Sequence, residues 1–374
     1  MKKALLTVFL VAVAGLVLLH VLTHEPPAEP IMQTPDTPAP PPDCSRYRPP
    51  ERDWSQRCPN RHCVAWETAL DDRLWRDSIW DKSCRCAYEP MVDHPEIARA
   101  ARPKSAEQLR EEIAAAEQGA PQKPADAAAA RRMILERTGV AAWPARERLV
   151  FARVCHNQPR GSGRLLGILV HDELVGVFRL AVWVPERTGR LPAVVALHGH
   201  GENAEVALER RNAENFVAAG YVFASPTSRC ITGDAVTVEH EITERFLTAG
   251  YSFLAVRTYE LALVRRVLAG LDFVDETRLG LLGHSSGAML VNALMHADDF
   301  GFRAAVSDRS GPYLNRNPDG LYLDTLTPAL SPLADYLADP RTSRVPLLAQ
   351  PYGFPDGPKP AIEFFDHHLN NGPS

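Results

Sequence analysis

From about residue 147 onward, short apolar runs rich in branched side chains alternate with longer stretches of helical character, and this alternation restricts the possible folds most. "AVVALHG" (193–199) is followed by "EVALERRNAENFVAAG" and then by "YVFASP". "TYELALVRRVLAGLDFV" leads into "RLGLLGHSSG", "AMLVNALMHAD" into "FRAAVSD", and "VPLLAQ" precedes "KPAIEFFDHHL". Strands covered on both faces read as continuous apolar runs, and parallel neighbours need a crossover that is usually a helix. The order predicts an α/β domain over 147–374, with a mostly parallel central sheet and helices on both faces. "LVFARVC", "LLGILV" and "LVGVFRLAVWVP", between 149 and 185, read as strands and predict antiparallel neighbours at one edge.

Within that pattern, "RLGLLGHSSGAML" (278–290) places a hydroxyl between two glycines where a strand gives way to a helix. In a G-x-S-x-G turn the flanking glycines, here Gly283 and Gly287, let two backbones approach closely. The serine is lifted above the sheet at a helix N-terminus. The pentapeptide alone is a moderate signal; the strand before it and the helix after it supply the confirming context. Ser285 is the candidate nucleophile. The backbone N–H of Ser286 is a candidate oxyanion donor. Upstream, "AVVALHGHGEN" places Gly199 and His200 directly after a core strand, where a loop amide can face the same oxygen. The bland alternative is a plain turn with packed histidines. A metal site on His198 and His200 is not expected, because no third and fourth ligand can be picked out around them.

With these motifs in view, residues 147–374 resemble the α/β-hydrolase fold, in its dienelactone hydrolase and acetyl xylan esterase-like branch. The resemblance rests on "LHGHGE", "AAGYVFASP", "DETRLGLLGHSSGAM", "FRAAVSDRSG" and "VPLLAQPYGFPD". It implies a serine esterase with a Ser–His–carboxylate triad, a small-molecule ester as substrate, and no cofactor. Two acids compete for the orienting role. Asp356 stands in a Gly-x-x-Asp turn after the expected seventh strand, and Asp308 ends the sixth. Asp275 reads as a turn residue ahead of the elbow strand.

The histidine departs from the family pattern. After Asp356 only "GPKPAIEFFDHHLNNGPS" follows, room for one helix and a short tail. Either this helix precedes an absent eighth strand, or "LLAQPYGFPDG" is the last strand and Tyr352, Gly353 and Phe354 stand where the histidine would be. His367 and His368 are the remaining candidates. At 100° per residue His368 falls at the edge of the apolar face formed by Ala361, Ile362, Phe365 and Leu369, so His368 is the better candidate for the base. A histidine packed on a terminal helix is the commoner case.

The rest of the chain reads as appendages. Residues 4–22 carry no formal charge and follow Lys2 and Lys3. About 20 apolar residues span a bilayer, so residues 1–24 are expected to be an uncleaved anchor, with a signal sequence as the alternative. Either reading places the remainder outside the cytoplasm, on the periplasmic side in a bacterium. Residues 25–50, with "EPPAEP" and "TPAPPP", predict an extended proline-rich linker. Residues 51–146 predict a small, mainly helical region. Its cysteines (Cys58, Cys63, Cys84, Cys86), with Cys44 just before, suggest disulfides behind an export signal. There Trp75 and Trp80 are expected to pack rather than to bind ligand, and "ADAAAARRMILERTG" predicts a helix stopped at Gly139. A net charge of −5 gives no global pull toward nucleic acid, and no nucleic-acid-reading motif is present.

Overall fold

The structure, a computed structural model, describes residues 64–68, 107–108, 111, 115, 124–138, 150–172, 176–227, 253–309, 330, 333–350, 353–354 and 357–370. The expected anchor, linker, cysteine cluster, Trp75, Trp80 and Asp356 lie outside the described residues. Among the described residues no helix is long and apolar enough to cross a membrane.

Among the described residues nine strands form one sheet: β1 (Val64–Thr68), β2 (Val150–Arg160), β3 (Gly163–Asp172), β4 (Gly176–Pro185), β5 (Leu191–Leu197), β6 (Val222–Pro226), β7 (Val274–His284), β8 (Ala304–Asp308) and β9 (Leu347–Gln350). Their spatial order is β1-β2-β3-β4-β6-β5-β7-β8-β9. The pairs β2–β3, β3–β4 and β4–β6 are antiparallel and the others parallel, as the strand-rich stretch before residue 185 predicted. From β5 the chain steps first to β6 on one side, and later places β7, β8 and β9 in turn on the other. The order therefore reverses between β5 and β7. Open α/β sheets bind their ligands at the carboxyl ends of the strands beside such a reversal.

The two-residue period of a strand divides the core. Ala193, Val195, Leu197, Leu279 and Leu281 face one side. There they meet α1 (Ala127–Thr138), α4 (Phe253–Ala269) and α5 (Ser286–Ala297). Val194, Ala196, Leu282, Ala304 and Val306 face the other. They meet α2 (Ala204–Arg210), α3 (Ala213–Ala219) and α7 (Lys359–Phe365), which continues as one π-turn, Asp366–Asn370. A short α6 (Ala334–Ala338) precedes β9.

Three local readings differ from expectation. Residues 64–68, inside the 51–146 region expected to be mainly helical, form β1, which pairs in parallel with β2 at the sheet edge, so part of that region is built into the sheet. α1, from the same region, packs on α5. The helical stretch expected over 205–220 is broken in two: Asn212 adopts φ 53, and α2 ends before it while α3 starts after it. Local periodicity does not show this break. It turns Arg211 inward, where buried carboxylates hold it. Finally, among the described residues no strand follows β9. The segment from Lys359 is helical, as its periodicity predicted, and runs back along the sheet.

Phe365 fixes that last helix. It is fully buried, packs on Phe216 of α3 with ring centroids 6.4 Å apart, and belongs to the core on that face. Replacing a buried phenylalanine by alanine typically costs about 3–5 kcal/mol. Phe365→Ala is expected to lower the unfolding free energy by that amount in urea titration; a loss below about 1 kcal/mol would mean that α7 does not seal this face.

Candidate active site

β7 ends at His284 and α5 begins at Ser286, so Ser285 is the residue between them. It has φ 52 and ψ −117, a backbone conformation that only a strongly determined position holds in a residue with a Cβ. Its N–H donates to the Asp308 carbonyl at 2.9 Å, and its carbonyl accepts the Met289 N–H at 3.0 Å. A serine at this position usually folds its hydroxyl back to cap the helix. Ser285 makes no such bond, so the side chain is held apart from the helix it precedes.

The glycines explain themselves by distance. A Cβ on Gly283 would collide with the Gly287 carbonyl, and one on Gly287 with the Leu197 carbonyl at the end of β5. A Cβ on Gly199 would lie 2.9 Å from Ser285 Cβ and 3.3 Å from His284 Cδ2. The loop after β5 is therefore pressed against the elbow, which is the relation that the two sequence motifs implied.

Next to Ser285, the period of the strands places His284 and Asp308 opposite each other. They are paired in register on β7 and β8 and lie on the α3/α7 face. His284 Nδ1 is 2.7 Å from Asp308 Oδ2. The same oxygen accepts Arg211 Nη1 at 3.1 Å, and Arg211 Nη2 donates to Glu202 Oε1 at 3.1 Å. Arg210 reaches that Glu202 oxygen from outside, while Glu202 Oε2 accepts the Gly199 N–H at 3.2 Å. Burial resists the charge on Glu202. Arg211, Arg210 and the Gly199 N–H outweigh that resistance and hold its carboxyl below the usual range. Burial likewise lowers the Arg211 guanidinium against the pull of Glu202 and Asp308. His198 is completely buried with its Nδ1 2.8 Å from the Gly199 carbonyl, and desolvation brings its pKa down to about 4.

Of the expected site residues, Ser285, Ser286 and Gly199 come together at the elbow, and His200 follows Gly199 in the same loop. The Gly199 amide, expected as an oxyanion donor, points instead at the Glu202 carboxylate. The Ser286 hydroxyl is buried and accepts from Arg257 Nη1 at 3.1 Å. Asp308, one of the two candidate acids, lies beside the elbow; Asp356, the other, lies outside the described residues. Asp275 accepts from the Thr277 N–H and from Arg278, in the local role read for it.

His368 is not brought to the serine. Ala361, at the start of α7, shares a cleft with His284, but the helix runs antiparallel to β7, so Asn370 meets Arg278 near the opposite end of that strand. His368 packs edge-on against Phe364 at 4.5 Å near that far end, which makes it a packed histidine of a terminal helix. Helical periodicity told which face it occupies but not the direction of the helix along the sheet. The residues missed from sequence are His284, Glu202, Arg210 and Arg211. His284 and Glu202 were inside the quoted motifs; the two arginines gave no signal beyond an ordinary polar helix face. Among the described residues no group of His, Cys, Asp and Glu could hold a metal ion.

No family model matches the chain, and no curated protein matches it by sequence. Solved structures do match. A Bacteroides fragilis protein provisionally identified as an acetyl xylan esterase superposes with a TM-score of 0.51 at 15% identity, over 67% of this chain and 75% of that one. Acetyl xylan esterase 1 from Thermoanaerobacterium gives 0.40 at 14% identity, over 71% and 98%. A Klebsiella pneumoniae protein provisionally identified as a dienelactone hydrolase gives 0.34 at 15%, over 60% and 81%. The likeness is one of fold, and that fold is the α/β-hydrolase fold.

The buried loop makes stability depend on acid. His198, with an ordinary pKa of 6.5 when unfolded and about 4 when folded, is neutral in the native state. Between those values the unfolded chain binds the extra proton, so stability is fully present above pH 6.5 and falls as pH drops toward 4, by about 3 kcal/mol in all. Glu202, depressed when folded, adds its own loss once pH falls below its unfolded value. Urea unfolding from pH 7 to 4 is expected to show this decline, with a shallower slope in His198→Gln. Equal slopes in the two proteins would remove His198 as the cause.

Proposed function

We propose that this chain hydrolyses carboxylic esters through an acyl-enzyme on Ser285. The observation that supports this best is the strained serine, set on a strand–helix turn with its hydroxyl free of any capping bond and the β5 loop packed against it. In this reading Oγ attacks the ester carbonyl, the Oγ–C bond forms, and the alcohol leaves with a proton. Water then releases the acid and restores the serine. The Ser286 and His200 amides are the donors assigned to the developing oxyanion, His200 taking the place of Gly199, whose N–H serves Glu202. Asp308, with its bond to His284, is the carboxylate assigned to the site.

Among the described residues no imidazole hydrogen-bonds Ser285 Oγ. General-base assistance is typically worth about 10²–10⁴-fold, so slow turnover is expected of the arrangement. The same observation favours a second reading, a hydrolase-fold binding protein that does not turn over. We also place the domain outside the cytoplasm, held by residues 4–22, on the strength of that uncharged run behind Lys2 and Lys3.

Ser285→Ala is expected to abolish both hydrolysis of p-nitrophenyl acetate and labelling by a fluorophosphonate, with a stability change of less than about 1 kcal/mol. Labelling of Ser285 without turnover would favour the binding protein; labelling retained in the variant would remove Ser285 from the chemistry. Deleting residues 1–24 is expected to move the protein from the membrane fraction to the soluble one, and a full-length protein that is already soluble would refute the anchor.

A further inference from the structure

α4 leads directly into β7, and β7 lies parallel to β5 in the sheet. A helix that crosses between parallel strands runs back against them, so the start of α4 stands at the carboxyl ends of the strands, the end that carries Ser285. Arg257 lies near that start and is only 3% exposed. Its Nη1 donates to the Ser286 hydroxyl, itself buried, at 3.1 Å. Its charge also reaches the loop after β5. His198, at the head of that loop, is kept neutral chiefly by burial, and Arg257 adds to the effect by opposing a second positive charge nearby. One guanidinium thus acts on both the elbow and the β5 loop, from the side of the sheet that α4 and α5 cover. These are the two segments whose amides, on Ser286 and His200, are assigned to the oxyanion.

Burying a guanidinium is expensive, and an apolar side chain would fill a packed helix face without that expense. Around Arg257, α4 does turn Leu254, Val256 and Leu261 into the core. Ser286 shows what the exception can serve. It opens α5, so its N–H is among those that no carbonyl of the helix itself can accept. Such an amide stabilises a developing negative charge only if it is fixed in place before the charge appears. The bond from Arg257 ties the side chain of that same residue to the neighbouring helix.

We infer that Arg257 is a positioning residue of the oxyanion hole: by holding the Ser286 hydroxyl it fixes the Ser286 N–H toward the oxygen that becomes negative. This rests on the ester-hydrolase reading above and deepens it. Arg257 touches neither the ester nor Ser285; it works through Ser286. In a low-dielectric interior its charge also favours the oxyanion over the neutral ester.

The test measures p-nitrophenyl acetate hydrolysis by the full-length protein, per Ser285 titrated with a fluorophosphonate. Arg257→Met is expected to lower kcat by about 10–100-fold, the scale of a misplaced donor, with KM within about twofold of wild type. Ser286→Ala, which removes the hydroxyl and keeps the amide, is expected to lower kcat about tenfold. The double variant Arg257→Met/Ser286→Ala is expected to lose no more than Arg257→Met alone, because both changes break one contact. Arg257→Lys, which keeps a donor and a charge, is expected to recover most of kcat. Phenylboronic acid forms a tetrahedral anion on a serine, the hydroxyl proton passing to solvent, and its affinity is expected to fall in parallel with kcat. An Arg257 that serves the fold alone would lower Tm and leave kcat per titrated site and boronate affinity at wild-type values. That result overturns the inference, and so do additive losses in the double variant. If Arg257→Met does not fold, a wild-type kcat in Ser286→Ala overturns it. A wild type that neither hydrolyses the ester nor binds the boronate removes the ester-hydrolase reading and the inference with it, whereas unchanged variants of an active wild type remove the inference alone.

Discussion

Arg211 holds the site together. Its two terminal nitrogens each take a different buried carboxylate, Glu202 on the loop after β5 and Asp308 at the end of β8. Glu202 in turn holds the Gly199 amide, and Asp308 holds the His284 ring with its side chain and the Ser285 N–H with its carbonyl. Three segments far apart in sequence, the β5 loop, the elbow and the end of β8, are thereby locked by one guanidinium. Removing one partner from such a chain leaves an uncompensated buried charge, which costs more than the intact pair contributes. The break in the helix between α2 and α3 serves this, because Arg211 reaches both acids only from the turn.

The same junction explains where the backbone is strained. Ser285 and Arg309 take positive φ at the ends of adjacent strands, and both have amides that donate to the neighbouring strand's backbone. The sheet thus continues to hold the chain one residue past its last regular pairing and holds each residue in a turn. Glycine would adopt those turns at less cost but would present nothing.

Much of the fold could be read from the sequence, for a simple reason. Apolar runs and helical stretches record what each segment must bury, so the parallel sheet, its antiparallel edge and the elbow follow from local pattern. Distances across the sheet carry no such record. The Asp308–His284 pair depends on the register of β7 against β8, and the Arg211 bridge depends on a turn at Asn212 that the helical pattern of 205–220 conceals. His368 shows the reverse error. Its position on an apolar face was legible, but an antiparallel course of α7 carries it away from Ser285.

The sequence by itself determined the class of fold, the position of Ser285 and the contact between the loop at Gly199 and the elbow, because glycines at close approaches and a serine between strand and helix are local necessities. Tertiary structure alone decided which charges surround that serine. Arg210, Arg211, Glu202, Asp308 and Arg309 are ordinary surface residue types until strand order and register bring them to one cleft. Their effect then depends on burial and on separations of about 3 Å, which no local pattern encodes.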